Sequence, residues 1–152
     1  MSHKEDIWTA AQNGNMTRLS TLIGNKVSLD LGDGVGMDPL YYAASNGHSD
    51  AMRVLIDAKA PLAFANSTPL HAAVKNEHVD AVQVLLDAKA PVDKKNDEGY
   101  APLHYAIKTG RSDIVQLLLD ARAGVNVKRE ANLDFHEEGY TPLHYAAKNG
   151  NS

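Results

Sequence analysis

Four aliphatic pairs, Leu22-Ile23, Leu55-Ile56, Leu85-Leu86 and Leu118-Leu119, recur along the chain at steps of 33, 30 and 33 residues. Self-similarity at such a period restricts the chain to a stack of small units, because one unit cannot bury its apolar face alone and must cover that of its neighbour. Pro39, Pro69, Pro102 and Pro142 keep nearly the same beat, each inside a similar block: Asp38-Pro39-Leu40-Tyr41, Thr68-Pro69-Leu70-His71, Ala101-Pro102-Leu103-His104 and Thr141-Pro142-Leu143-His144. Small residues follow each block, at Ala43-Ala44, Ala72-Ala73, Ala106 and Ala146-Ala147.

Each block reads as a helix start. Thr or Asp can cap free backbone amides, and proline fits the first helical position, where no internal donor is lost. Ala101 has no capping oxygen, an absence worth about 1 kcal/mol. Glycines at 47, 110 and 150 fall about one helix length later and mark stops, because glycine readily takes the left-handed conformation; Glu77 stands where the unit between them would place its own. A second amphipathic segment follows, as in Asp80-Ala81-Val82-Gln83-Val84-Leu85-Leu86, with apolar residues at helical spacing. The unit is two short antiparallel helices joined by a tight turn.

These blocks, alanine pairs, glycine stops and Val-x-x-Leu-Leu second helices resemble the ankyrin repeat. The resemblance covers nearly the whole chain and implies an all-α solenoid of stacked helix-turn-helix units with finger-like β-turn loops, forming one domain over residues 1–152. Its units are about 1–33, 34–63, 64–95 and 96–132, with a partial fifth at 133–152. Unit 1 lacks the proline block, but Ile7, Ala10-Ala11, Gly14 and Leu22-Ile23 align with the later units and suit an N-terminal cap. The partial unit 5 leaves an apolar edge that missing repeats or another chain would cover.

The fingers vary in length while the helices do not, and that is where a repeat protein can alter its surface without disturbing its core. The connection from Ala60 to Thr68 is short and that from Ala123 to Thr141 is long. Within the long one, Val125 and Val127, then Leu133 and Phe135, flank a polar turn, a pattern that suits either a protruding hairpin or an insertion folded onto the stack. All six tyrosines fall in or beside the proline blocks. By the resemblance, the concave face carries Tyr42 in unit 2, Lys75 and Asn76 in unit 3, Tyr100, Tyr105, Lys108 and Thr109 in unit 4, and Tyr140, Tyr145 and Lys148 in unit 5. Together with Phe135 on the long finger, these are the expected partner-binding residues. Tyrosine is a favoured interface anchor, and Lys75, Lys108 and Lys148 would form a ladder favouring an acidic peptide or surface. The alternative is that the tyrosines brace the finger roots and the lysines are simply solvated.

Other chemistry finds little footing. His71, His104 and His144 recur one per unit, where the resemblance implies structural hydrogen bonds that tie neighbouring turns together, and they lack the short His-x-x-x-His arrangement of a metal site. Gly32-Asp33-Gly34-Val35-Gly36 lacks the Lys-Ser/Thr of a phosphate loop and reads as a glycine-rich finger tip. With no cysteine and no assembled catalytic constellation, the sequence points to no metal, no cofactor and no enzyme activity. Fifteen Lys and Arg against 19 Asp and Glu give a net charge of -4, which argues against nucleic acid or an anionic membrane as partner. The expectation is a non-enzymatic module that binds a protein partner through its concave face and fingers, in an intracellular, cytoplasmic setting. The alternative is the N-terminal targeting arm of a larger enzyme or of a microbial effector acting in the host cytoplasm, its catalytic region beyond residue 152.

Overall fold

The computed structural model describes residues 3–64, 67–128 and 141–148, with side chains throughout except at 3–6, 145, 146 and 148. Its helices alternate between two layers. The inner layer holds α1 (His3–Gln12), α3 (Pro39–Ser45), α5 (Pro69–Lys75), α7 (Pro102–Lys108) and α9 (Pro142–Lys148). The outer layer holds α2 (Met16–Gly24), α4 (Ser49–Asp57), α6 (Val79–Asp87) and α8 (Ser112–Asp120). Each inner helix packs on the next inner helix, each outer on the next outer, and each pair on itself. The described residues contain no strand, and the expected all-α solenoid is what forms.

Proline begins α3, α5, α7 and α9, and each of these helices runs for only 7 residues. Two turns of helix do not persist alone in water, so burial must hold them. Leu40, Leu70 and Leu103, each one residue after its proline, are fully buried, as are Leu22, Leu55, Leu85 and Leu118 of the outer layer. Ala43, Ala44, Ala73 and Ala106 are equally closed to solvent, and their small size lets the inner helices approach one another. The stop positions behave as expected: Gly47 and Gly110 have φ of 71° and 73°, and Glu77 takes the same left-handed conformation at 62° in spite of its side chain.

Ala101 offers no side-chain oxygen to the helix, but its own amide is satisfied. The Ala101 amide donates to Nδ1 of His104 at 3.0 Å. The same reach-back is made to the amides of Thr68 by His71 at 3.2 Å and of Thr141 by His144 at 2.9 Å. In α5, α7 and α9 the histidine, rather than the residue before proline, is therefore the constant part of the helix start, whereas α3 has Tyr41 at that place. His71 also uses its other nitrogen, Nε2, to donate to the Tyr100 carbonyl at 2.8 Å, tying unit 3 to the finger of unit 4. With both ring nitrogens engaged and the side chain buried, His71 has nothing left to offer a metal ion.

A second tie joins the turns between inner and outer helices. His48 Nε2 donates to the Gln12 carbonyl at 2.9 Å, and His78 Nε2 to the Ser45 carbonyl at 3.0 Å. Each ring lies against the preceding unit's glycine, so closely that a Cβ on Gly14 would sit 2.8 Å from the His48 ring and one on Gly47 would sit 2.7 Å from that of His78. At the third turn Glu77 has a Cβ, and Arg111 takes the histidine's place, donating to the Glu77 carbonyl at 3.4 Å. Its guanidinium also grips Asp113 through two bonds of 3.1 and 2.8 Å.

Candidate protein-binding surface

The side expected to bind a partner is built from the ends of the inner helices and the fingers that precede them. Two fingers share one construction. In residues 33–37, Asp33 Oδ1 accepts the amides of Val35 and Met37 at 2.9 and 3.0 Å. In residues 96–100, Asn96 Oδ1 accepts those of Glu98 and Tyr100 at 3.1 and 2.9 Å. Such side-chain turns tighten a loop without help from a ladder of strands. Each is then fastened to the helix behind it by a tyrosine. The Tyr42 hydroxyl donates to Asp33 Oδ2, and the Asn96 side-chain amide donates to the Tyr105 hydroxyl at 2.9 Å. Burial alone would raise the Asp33 carboxyl, but the Tyr42 hydroxyl and the Met37, Val35 and Gly36 amides outweigh it and hold it below the ordinary carboxylate range. The same bond to Asp33, together with burial, pushes the Tyr42 phenol up to about 12. Unit 3 has the clipped finger, and there Ala72 stands where the others have tyrosine.

Tyr100 and Tyr105 therefore sit differently from open anchors. They are 4% and 7% exposed. Their ring centroids lie 5.0 Å apart, with His104 edge-on to Tyr100 and His71 edge-on to Tyr105. What lies over them is lysine. Lys75 Nζ lies 5.7 Å from the Tyr105 centroid and Lys108 Nζ lies 5.5 Å from that of Tyr100. A cation over a ring face gains on the order of 0.5–1 kcal/mol at an exposed site, and each lysine also sits in the last turn of its helix, where the dipole favours positive charge. Both lysines are exposed. Neither is paired with a carboxylate among the described residues.

Asn76 bonds back to the Ala72 carbonyl at 2.8 Å and across to Ser45 Oγ at 3.3 Å, linking the helix ends of units 2 and 3. Thr109 Oγ1 donates to the Ala106 carbonyl at 3.2 Å. The structure thus brings Lys75, Asn76, Tyr100, Tyr105, Lys108 and Thr109 onto one face, with Tyr42 at the neighbouring finger. Tyr145 and Lys148 fall on α9, where only the backbone is described. Phe135 and Tyr140, and the long finger beyond residue 128, lie outside the described residues.

Sequence reasoning missed both the finger brace and the histidine–glycine tie. The first had a readable signal, Asp or Asn nine residues ahead of tyrosine. No helix is long and apolar enough to cross a membrane among the described residues.

Stacked helix pairs, fingers braced at their roots and a row of polar helix ends define a repeat scaffold of the kind that presents a surface to other macromolecules. The family model for ankyrin repeats matches in three overlapping stretches, residues 7–96, 59–131 and 89–152, and the chain belongs to that family. Ankyrin repeats are in general protein–protein interaction modules and are typically non-catalytic. One curated relative, cortactin-binding protein 2 of Dasypus novemcinctus, is 44% identical over 59 residues. That stretch is 38% of this chain but only 4% of the relative, so the likeness spans a small part of that protein's length.

Proposed function

We propose that the chain is a non-enzymatic protein-binding module whose concave face receives an acidic segment of a protein partner. The observation that carries this reading is the placement of Lys75 and Lys108, exposed, without a carboxylate partner among the described residues, and propped over the Tyr105 and Tyr100 rings. A lysine held against an aromatic face has lost part of its rotamer freedom before binding, which lowers the entropic penalty of engaging a carboxylate. The buried tyrosines act as the floor beneath the lysines, and Asn76, Thr109 and the edge of Tyr42 supply the polar rim. A relative described as binding cortactin is in keeping with a protein as partner.

The apolar edge of α9 belongs to the same proposal. Leu143 is 60% exposed, whereas Leu103, its counterpart in α7, is 1% exposed beneath α9. A further helix pair of the same kind, or another chain, would cover it in the assembled protein. The test is direct: a partner selected from a displayed peptide library is titrated against the wild type and against Lys75→Glu/Lys108→Glu. A loss on the order of tenfold is expected from two reversed charges. An unchanged Kd for the charge-reversed variant removes the concave face from the account.

A further inference from the structure

Besides Glu77, the described residues other than glycine that take the left-handed conformation are Lys26, Lys59, Lys89 and Arg122, with φ of 59°, 69°, 65° and 66°. These four occupy one repeated position, two residues past the ends of α2, α4, α6 and α8. There each amide closes the helix by donating to a carbonyl three residues back, at 2.9, 2.9, 3.0 and 2.9 Å. The backbone at this position is best served by glycine, because a Cβ crowds the following carbonyl. The protein instead places a cation there in every unit for which the position is described.

Helix-end electrostatics favour a cation near these C-termini but do not fix it at this strained position. A cation anywhere in the last turn would complement the dipole without backbone strain, yet no outer helix carries a basic residue in its last turn. Nor is the row neutralised by ion pairs. All four side chains are exposed and none pairs with a carboxylate among the described residues. Of the acids two residues before these cations, Asp87 accepts from the Gln83 amide at 2.7 Å and Asp120 from that of Gln116 at 2.8 Å. Strained residues that recur at one position point to a use outside folding.

We propose that Lys26, Lys59, Lys89 and Arg122 form a second docking edge, separate from the concave face, for an extended acidic segment of a protein partner. The outer helices pack in order, so the cations succeed one another at roughly the 8–10 Å spacing of packed helices. An extended chain advances about 3.3 Å per residue, hence three residues per rung. The complementary segment therefore carries Asp or Glu at every third position. A row of point charges at a regular step suits such a strand better than it suits a fluid layer of lipid headgroups.

The experiment uses a fluorescent peptide of about five Glu-Gly-Ser repeats, long enough to span the four rungs, and its Gln-Gly-Ser counterpart. Binding is followed by anisotropy at low salt. The variant Lys26→Gly/Lys59→Gly/Lys89→Gly/Arg122→Gly removes the charges while relieving the backbone, so its melting temperature should hold or rise. Each exposed ion pair is weak, and four together set an expected loss on the order of tenfold for the glutamate peptide. Should that variant fold poorly, Lys59→Glu/Lys89→Glu is expected to show the same loss. Lys75→Gln/Lys108→Gln is measured alongside, and Arg53→Gln, which removes an exposed cation of α4 off this row that is paired with Asp50, is expected to leave this peptide's affinity unchanged. Wild-type affinity in the glycine variant overturns the proposal. So does a loss confined to Lys75→Gln/Lys108→Gln, which would leave the concave reading standing, and so does binding to phosphatidylserine vesicles without binding to the peptide.

Discussion

Units 2 and 3 begin their inner helices with the same backbone and opposite electrostatics. In unit 3, Thr68 caps the helix and His71 is buried as a neutral imidazole with both nitrogens bonded; burial drives its pKa down to about 4, partly offset by the bond to the Tyr100 carbonyl. In unit 2, Asp38 caps through a 2.7 Å bond from the Tyr41 amide, but its Oδ2 is buried with no partner. Burial lifts this carboxyl to about 6 in spite of the Tyr41 and Leu40 amides. One cap is fully satisfied and the other carries an uncompensated charge at neutral pH. A repeat fold therefore tolerates a poor unit when its neighbours are good, because stability is shared across interfaces.

The largest effect expected is on the satisfied cap. His71→Ala strands the Thr68 amide and the Tyr100 carbonyl and opens a hole between units 3 and 4, so urea unfolding should show a loss of about 3 kcal/mol. A loss below about 1 kcal/mol would mean that the tie between units is dispensable.

Two groups with opposite signs set the pH dependence of stability. The His71 pKa is depressed on folding, so the unfolded chain takes up its proton first and stability falls as pH drops from about 6.5 toward about 4. The Asp38 pKa is raised on folding, so its contribution is favourable at low pH and is lost as pH rises from about 3.8 through about 6. The two slopes oppose each other across nearly the same window, and the wild type should be nearly flat there from this pair. Asp38→Thr, which copies unit 3, should gain on the order of 1 kcal/mol at pH 7. It should also unmask an acid-side fall of about 3 kcal/mol from His71. Equal slopes for variant and wild type between pH 4 and 6.5 would reject this pairing of effects.

The difference between the two caps also shows what a sequence reveals here. Helix starts at the prolines and stops at Gly47 and Gly110 were legible because each is a local rule repeated at a fixed interval. The role of His71 as a link between neighbouring turns was legible only through the resemblance, because its Tyr100 partner sits one unit away. Legibility failed for the ties that the resemblance did not bring. His48 and His78 meet carbonyls 36 and 33 residues back, and nothing in their own neighbourhood distinguishes them from solvated surface histidines. The concave site was half legible. Its residue positions follow from the period, whereas the closure of the Tyr100 and Tyr105 rings depends on how a finger folds over the helix of its own unit.

A smaller effect comes from the finger brace. Tyr42→Phe removes the hydroxyl bond to Asp33 and should lower stability by about 1 kcal/mol, with faster amide exchange confined to residues 33–37. The same change at Tyr105 should loosen residues 96–100. Because Ala72 has no hydroxyl, the clipped finger of unit 3 serves as the internal control and should exchange alike in both variants. Faster exchange throughout unit 2 would instead assign Tyr42 a general packing role.

The smallest effect concerns the third turn, where Glu77 and Arg111 replace the glycine and histidine of the first two. Glu77→Gly relieves a left-handed side chain and should gain roughly 0.5–1 kcal/mol. Arg111→His alone should lose a similar amount, because the Glu77 Cβ occupies the space in which the His48 and His78 rings lie against glycine, and the grip on Asp113 goes with the guanidinium. Combining the two recreates the arrangement of the earlier turns, with an imidazole lying on a glycine and bonded to a carbonyl. The double variant should therefore be more stable than the sum of the single changes. A double-mutant cycle with a coupling energy near zero would show that the exchange of Gly–His for Glu–Arg is two independent substitutions. A favourable coupling would show that this tie is selected as a pair, the side chain on one unit set by the Cβ of the unit before it.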